Sequence, residues 1–310
     1  MITVNQRAEA ADTAEGTFAP IADDRIGAFA AYTIASDLLE LREIYAGHIQ
    51  RIPGDAWAQR TERRPSGWTL LETLAHLDAV ASVFNTSVRL ALAGQPISIP
   101  GLAQRTDLPA ANRAAINERL PQGPAELTKS FLGILADTAS LAARLNPQQL
   151  ALRVKTPYYG AEPSLAEIFG AALIHAGVIH GAQVAAATRG QPIWSFYSPG
   201  IMRRQLTRAF HAMGLAYWPE RGGSLHATLA FNVEGHGGGS WYIRVDPSGG
   251  EGHIGTVRTA DVILSFASAD LLCRTLTLQA GILRSVITRR LRLSGNLRLA
   301  ARMFQLFTPT

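Results

Sequence analysis

The sequence predicts a multi-domain protein, an all-α four-helix bundle followed by an α+β domain with an antiparallel sheet. Three observations predict it. Residues 168–188, IFGAALIHAGVIHGAQVAAAT, run for 21 residues without Asp, Glu, Lys or Arg, between Glu167 and Arg189. Three further long segments before residue 150 carry apolar residues at helical spacing. Beyond Pro192 the period drops to two, at Leu225, Ala227, Leu229, Phe231 and Val233 and again at Trp241, Ile243 and Val245. A chain of 310 residues with 47% hydrophobic content is long enough for two domains and apolar enough for a large core.

The charge-free stretch is long enough to span a bilayer as a helix. It nevertheless contains His175, His180, Gln183 and three glycines, and Ser164-Leu165-Ala166-Glu167 before it reads as a capping box, the start of an ordinary soluble helix. A helix apolar nearly all round belongs inside a bundle. The imidazoles it carries then need partners, because a buried polar group left unpaired is costly.

In chain order, residues 26–49 form the first expected helix, with Ile34, Leu38, Leu41 and Tyr45 on one face. After a polar connection at Pro53-Gly54, a second helix opens at the capping box Thr69-Leu70-Leu71-Glu72 and runs to about residue 93, with His76 near its start. A Pro- and Gly-rich loop and a weak, partly helical stretch lead to a third helix over 125–145, stopped by Asn146-Pro147. The fourth is the charge-free stretch. A helix over 202–213 opens the second half, followed by strands near 225–233 and 241–245 around the loop Gly235-His236-Gly237-Gly238-Gly239. Residues 247–252 read as a turn, and Val262, Leu264 and Phe266 as a strand. Residues 270–283 read as one amphipathic piece that buries Cys273; a strand at Leu291 and Leu293 and a helix to Phe307 end the chain. His236 and His253 fall in no metal-ligand spacing and read as loop residues. The switch of period places a join at 190–200, and two separable halves are expected.

One cysteine, Cys273, excludes an intrachain disulfide and a cysteine-rich zinc site, and fits a reducing cytoplasm. The first 24 residues lack a basic segment followed by an apolar one and read as a disordered tail, not a signal peptide. The net charge of +5 is uneven: residues 191–310 hold 13 of the 29 basic and 6 of the 24 acidic residues. That basic half could meet nucleic acid, anionic lipid or an anionic substrate, or be a solvated arginine surface.

Two stretches resemble known families. Gly67-Trp68-Thr69-Leu70-Leu71-Glu72-Thr73-Leu74-Ala75-His76-Leu77, with His175 and His180-Gly181-Ala182-Gln183, resembles the DinB-like superfamily, in the branch of mycothiol-dependent maleylpyruvate isomerases and thiol S-transferases. The strands at 225–233 and 241–245, Ala260-Asp261-Val262 and Leu293-Ser294-Gly295-Asn296-Leu297 resemble the sterol carrier protein 2 domain. The resemblance implies a bundle over 25–192 and a sterol-carrier-like domain over 193–310.

It also implies a divalent metal, zinc by the preference of that ion for imidazole, held by His76 of helix two and by His175 and His180 of helix four. Family ligands on helix four stand four residues apart, whereas His175 precedes His180 by five. A π-bulge would return both to one face, eased by Gly177; otherwise the third ligand is lost. Gln183 is expected to bind substrate or to satisfy the bundle. Arg89, with Arg63 and Arg64, would hold a carboxylate, unless each is surface arginine. Glu72 would orient His76 or serve only as the capping acid. The implied function is that of a cytoplasmic thiol-dependent transferase or isomerase, with mycothiol as co-substrate and an electrophilic small molecule as partner, including thiol exchange on a secondary-metabolite conjugate. No nucleic acid and no membrane insertion are expected. The competing expectation is a non-catalytic lipid or small-molecule binding protein with a degenerate metal site. The C-terminal domain would either bind lipid in its own tunnel or cap the metal pocket.

Overall fold

The computed structural model describes residues 24–61, 67–159 and 161–307. Outside them lie Arg63, Arg64 and the tail expected over 1–24, apart from Asp24, which begins a short helix, Asp24–Phe29. The bundle consists of α1 (Ala31–Ile49), α2 (Leu70–Leu92), α3 (Leu108–Arg119), α4 (Gly123–Ala142) and α5 (Leu165–Thr188). The single helix expected over 26–49 is two helices, because Ala30 takes extended backbone (ψ 143°) between them. Both capping boxes form as read: Thr69 Oγ1 accepts from the Glu72 N–H, and Ser164 Oγ from that of Glu167, while each glutamate accepts in return.

Leu165–Thr188 is the one helix among the described residues long and apolar enough to cross a membrane, and 83% of its most apolar window is buried inside the protein. Its neighbours are α1, α2 and the next helix, α6 (Pro199–Leu215), which leads into the second half.

The sheet has strands β1 (Ala227–Val233), β2 (Gly239–Asp246), β3 (Gly249–Ile254), β4 (Val262–Phe266) and β5 (Leu291–Gly295), in the order β3-β2-β1-β4-β5. It is mixed, which corrects the antiparallel expectation: β1 runs parallel to β4, with Phe231 opposite Leu264, while the other three pairings are antiparallel. After β3 the chain crosses to the far side of β1, and apolar alternation specifies neither partner nor direction. Residues 247–252, read as a turn, hold most of β3. Its glycines let α6 pack on it at backbone distance, since a Cβ at Gly252 would sit 2.2 Å from the Phe210 oxygen. Residues 270–283 are also interrupted: α7 (Ala269–Leu276) and α8 (Ile282–Ile287) are parted by Leu278 in a left-handed conformation (φ 58°). The chain ends in α9 (Leu297–Phe307).

The two halves share one core. Buried Ala182, Ile193, Trp194, Leu206, Phe210 and Leu229 belong to a single apolar cluster that runs through 190–200. The separable cores expected there are therefore not present. Polar ties reinforce the contact: Arg208, 1% exposed, donates to Asp37 of α1 (2.6 Å) and to the Ala28 carbonyl, and Arg204 also donates to Asp37. Trp194 Nε1 donates to Asp270 at 3.0 Å.

Candidate metal centre

Helix α2 begins at its Thr69 cap, so His76 faces the bundle interior two turns on, 3% exposed. Across from it, residues His175–His180 of α5 are π-helical. A π-turn inserts one residue, which puts positions five apart on one face. The five-residue spacing thus becomes a shared face, and His76, His175 and His180 converge.

The π-turn has identifiable supports. The Ala176 carbonyl accepts the Gly181 N–H five residues on, and two buried tyrosines add to the carbonyls of this turn: Tyr45 Oη donates to the Ala176 oxygen (2.7 Å) and Tyr197 Oη to that of Gly177 (3.1 Å). Gly177 is required for that approach, because a Cβ would stand 2.3 Å from the Tyr197 hydroxyl. Burial raises both tyrosine pKa values, Tyr45 well above its usual range, which keeps the two as neutral donors.

His175 Nε2 lies 3.0 Å from His76 Nε2 and 3.0 Å from His180 Nε2, and all three ligand atoms fall within 4.8 Å of one another. A neutral imidazole nitrogen bears either one proton or one lone pair. The single Nε2 of His175 cannot form a good hydrogen bond with both neighbours, whereas one cation accepts all three lone pairs. Nitrogens at 2.0–2.1 Å from a tetrahedral ion are spaced about 3.3 Å apart, close to the two 3.0 Å separations from His175. Gln183 Oε1 meets His180 Nδ1 at 2.5 Å; it can only accept, so the proton sits on Nδ1 and the lone pair of Nε2 faces the cluster. His76 Nδ1 is buried without a partner. Burial holds His76 and His175 well below the usual histidine range and His180 at about 4, so all three are neutral near pH 7. The donor set fits a divalent metal with affinity for nitrogen.

Trp68 lies beside this cluster, its ring 4.5 Å from that of His76 and 6.1 Å from that of His180. His76 and His175 form one wall of a cavity of about 610 Å³ between α2, α3, Tyr158 and Tyr159. Trp218 and Phe307 of the second half line it too. Arg105 also lines it, its guanidinium 4.8 Å above the Trp218 ring, with Nη2 buried and lacking a hydrogen-bond partner.

Of the residues singled out in the sequence, His76, His175, His180 and Gln183 come together. Glu72 closes its capping box and pairs with Arg113 at 2.6 Å; it does not accept from His76. Arg89 donates to Asn85 and Asp137, away from the cavity lining. Cys273 is buried, its thiol pushed up to about 12 by burial. His236 meets the Tyr197 carbonyl and His253 stacks on Tyr242. Sequence reasoning missed Arg105, Trp218 and the Tyr158–Tyr159 pair, none of which has a signal in spacing or periodicity.

Residues 38–185 match the family described as Mycothiol maleylpyruvate isomerase N-terminal domain, and residues 219–308 the SCP-2 sterol transfer family. Among solved structures, a mycothiol-dependent maleylpyruvate isomerase is similar at 14% identity and a TM-score of 0.51, covering 81% of this chain and 88% of its own. A mutant of such an isomerase aligns at 13% identity and a TM-score of 0.49, over 79% and 86% of the two chains. A sterol carrier protein 2 from Yarrowia lipolytica aligns at 19% identity and a TM-score of 0.24, over 32% of this chain and 76% of its own. No curated protein sequence matches the chain.

Proposed function

Since residues 38–185 belong to the mycothiol maleylpyruvate isomerase N-terminal family and residues 219–308 to the SCP-2 family, we propose that the protein is a cytoplasmic enzyme using mycothiol against an electrophilic small molecule. The thiol sulfur adds to an electrophilic carbon. Either it stays there as a leaving group departs, which is S-transfer, or it is eliminated after rotation about the former double bond, which is isomerisation. Thiol exchange on a secondary-metabolite conjugate falls within the first outcome. The observation that carries this reading is the convergence of three neutral imidazoles on one point in the wall of a cavity of about 610 Å³.

His76, His175 and His180 would hold the metal, taken to be zinc, which when bound would lower the pKa of a thiol and keep it as thiolate. The remaining work falls to the chain itself. Gln183 keeps the His180 proton on Nδ1. The Trp68 ring and apolar walls such as Val80, Val83 and Leu108 exclude water from the reacting atoms. Arg105, at the side lined by Trp218, is placed to hold an anionic group of substrate or thiol. Trp218 and Phe307 give the second half the role of a cap over the pocket, in preference to a separate lipid carrier. The lone cysteine is buried and its thiol held protonated, so an external thiol is required.

The test is to incubate the protein with mycothiol and maleylpyruvate, or an activated conjugate, and follow products by mass spectrometry. An adduct or isomer formed by the wild type and lost in His76→Ala is the expected result. Metal-loaded protein that forms neither, while binding ligands in the cavity, would favour the non-catalytic binder.

A further inference from the structure

The last 40 residues contain seven arginines and no Asp or Glu. Within them lies a concentration of exposed aliphatic side chains: Leu278, Leu283 and Ile287 are 69%, 74% and 71% exposed, with Ile282 and Val286 at 38% and 37%. Single exposed apolar residues are common on protein surfaces and mean little, but a contiguous group calls for a partner. The other large exposed apolar residues among those described, such as Tyr32, Leu152 and Phe196, are scattered along the chain.

The local structure builds this group into a ridge. Helix α8 turns Ser285 inward, where it is buried and its hydroxyl donates to the Gly281 carbonyl. Leu283 and Ile287, four residues apart, therefore share the outer face. Two non-glycine residues with left-handed backbone bracket the helix, Leu278 (φ 58°) and Arg289 (φ 57°), so the chain turns sharply on either side of it. Arg284, Arg289 and Arg290 are exposed on the same short segment. The base of the ridge is fixed to the body, since Gln279 Nε2 donates to the Ala182 carbonyl of α5 at 2.7 Å.

We infer that the ridge at 278–290 docks the protein on an anionic lipid surface: Leu283, Ile287 and Leu278 enter the headgroup boundary, and Arg284, Arg289 and Arg290 engage lipid phosphates. Exposed aliphatic side chains interspersed with arginine on one short segment are the pattern of interfacial rather than spanning attachment. The long arginine stems lie along the apolar layer while their guanidinium groups reach the phosphates. Two other occupants fit worse. A second copy meeting this face about a two-fold axis would bring arginines against arginines, with no acid in the segment to offset them. Single-stranded nucleic acid would use aromatic rings for stacking, and the ridge has none; a duplex would be met by basic side chains alone and leaves the exposed aliphatic side chains without a role.

The full-length protein is to be sedimented with vesicles of phosphatidylglycerol mixed with phosphatidylcholine and, in parallel, with phosphatidylcholine alone. The inference predicts binding to the anionic vesicles that weakens as salt is raised, and little to the neutral ones. Each arginine near such a surface is worth about five-fold in affinity, so R284Q/R289Q/R290Q should bind roughly 100-fold more weakly. L283S/I287S, which alters only exposed side chains, should bind at least about ten-fold more weakly, with its thermal melt unchanged, whereas L152S should bind as the wild type does. No sedimentation with anionic vesicles, equal binding to neutral ones, or unaltered binding of both ridge variants would overturn the inference. So would a dimer by analytical ultracentrifugation that L283S/I287S dissociates, or tight binding to single-stranded DNA in place of vesicles.

Discussion

Gly177→Ala tests whether the π-turn is held by packing. In an ordinary helix the change stabilises, because alanine is the better helix former by about 1 kcal/mol. Here the new methyl would stand 2.3 Å from Tyr197 Oη, 3.0 Å from Gln205 Nε2 and 3.4 Å from Leu41 Cδ1. The tyrosine is 4% exposed and its hydroxyl serves the Gly177 carbonyl, so it has no free space to enter. Overpacking of this kind costs about 1–3 kcal/mol, and losing the hydroxyl-to-carbonyl bond about 1 kcal/mol more. Against the helix-propensity gain, a net loss of about 1–3 kcal/mol remains, or a fall in Tm of roughly 2–5 °C for a chain of this length. Circular dichroism melts measure it, with Gly133→Ala as control, since no atom lies within 4 Å of a Cβ at that helical glycine. The same change in a Tyr197→Phe background should cost about 1 kcal/mol less, because the nearest clashing atom is gone. Gly177→Ala melting at or above the wild-type temperature would refute the reasoning.

Tyr45→Phe removes one of two hydrogen bonds to the buried Ala176 carbonyl, which still accepts from the Gly181 N–H, and should lower unfolding free energy by about 0.5–1.5 kcal/mol in urea titrations. Glu167 is raised by burial, but the nearby His211 and the Ser164 bonds outweigh that and hold it at about 2, so the folded state favours the carboxylate. Its contribution is present above the ordinary 4.5 and is lost as pH falls toward 2; urea unfolding at about pH 6 and about pH 3 should show Glu167→Gln losing less stability than wild type, by about 2 kcal/mol. Arg105→Gln should raise KM for an anionic substrate roughly 10- to 100-fold while metal content stays unchanged, as steady-state kinetics beside elemental analysis would show.

Features that one turn of chain decides were legible in the sequence. The capping boxes at Thr69 and Ser164 depend on residues three positions apart and form as read. The three histidines were legible through the resemblance joined to a spacing rule: a gap of five in a helix is either a lost face or a π-turn, and two tyrosine hydroxyls from elsewhere in the chain decide for the latter. Long-range partners were not legible. Nothing in the neighbourhood of Arg208 says that it is buried against Asp37, 171 residues away. Arg89 lies on the helix that carries His76, yet points to Asp137. Arg105 and Trp218, 113 residues apart in sequence, meet only in the wall of the cavity. β3 was hidden because glycine suits a strand only where another backbone approaches closely, and that approach is made by α6.

The central claim is that His76, His175 and His180 form a metal-binding centre for thiol chemistry. Elemental analysis of the purified protein alongside His175→Ala tests it most directly. The account predicts close to one divalent ion per chain in the wild type, zinc foremost, and its loss in the variant with helix content nearly unchanged by circular dichroism. Unchanged metal in His175→Ala would remove that residue from the ligand set. Absence of metal from both proteins, with thiol transfer retained, would contradict the account.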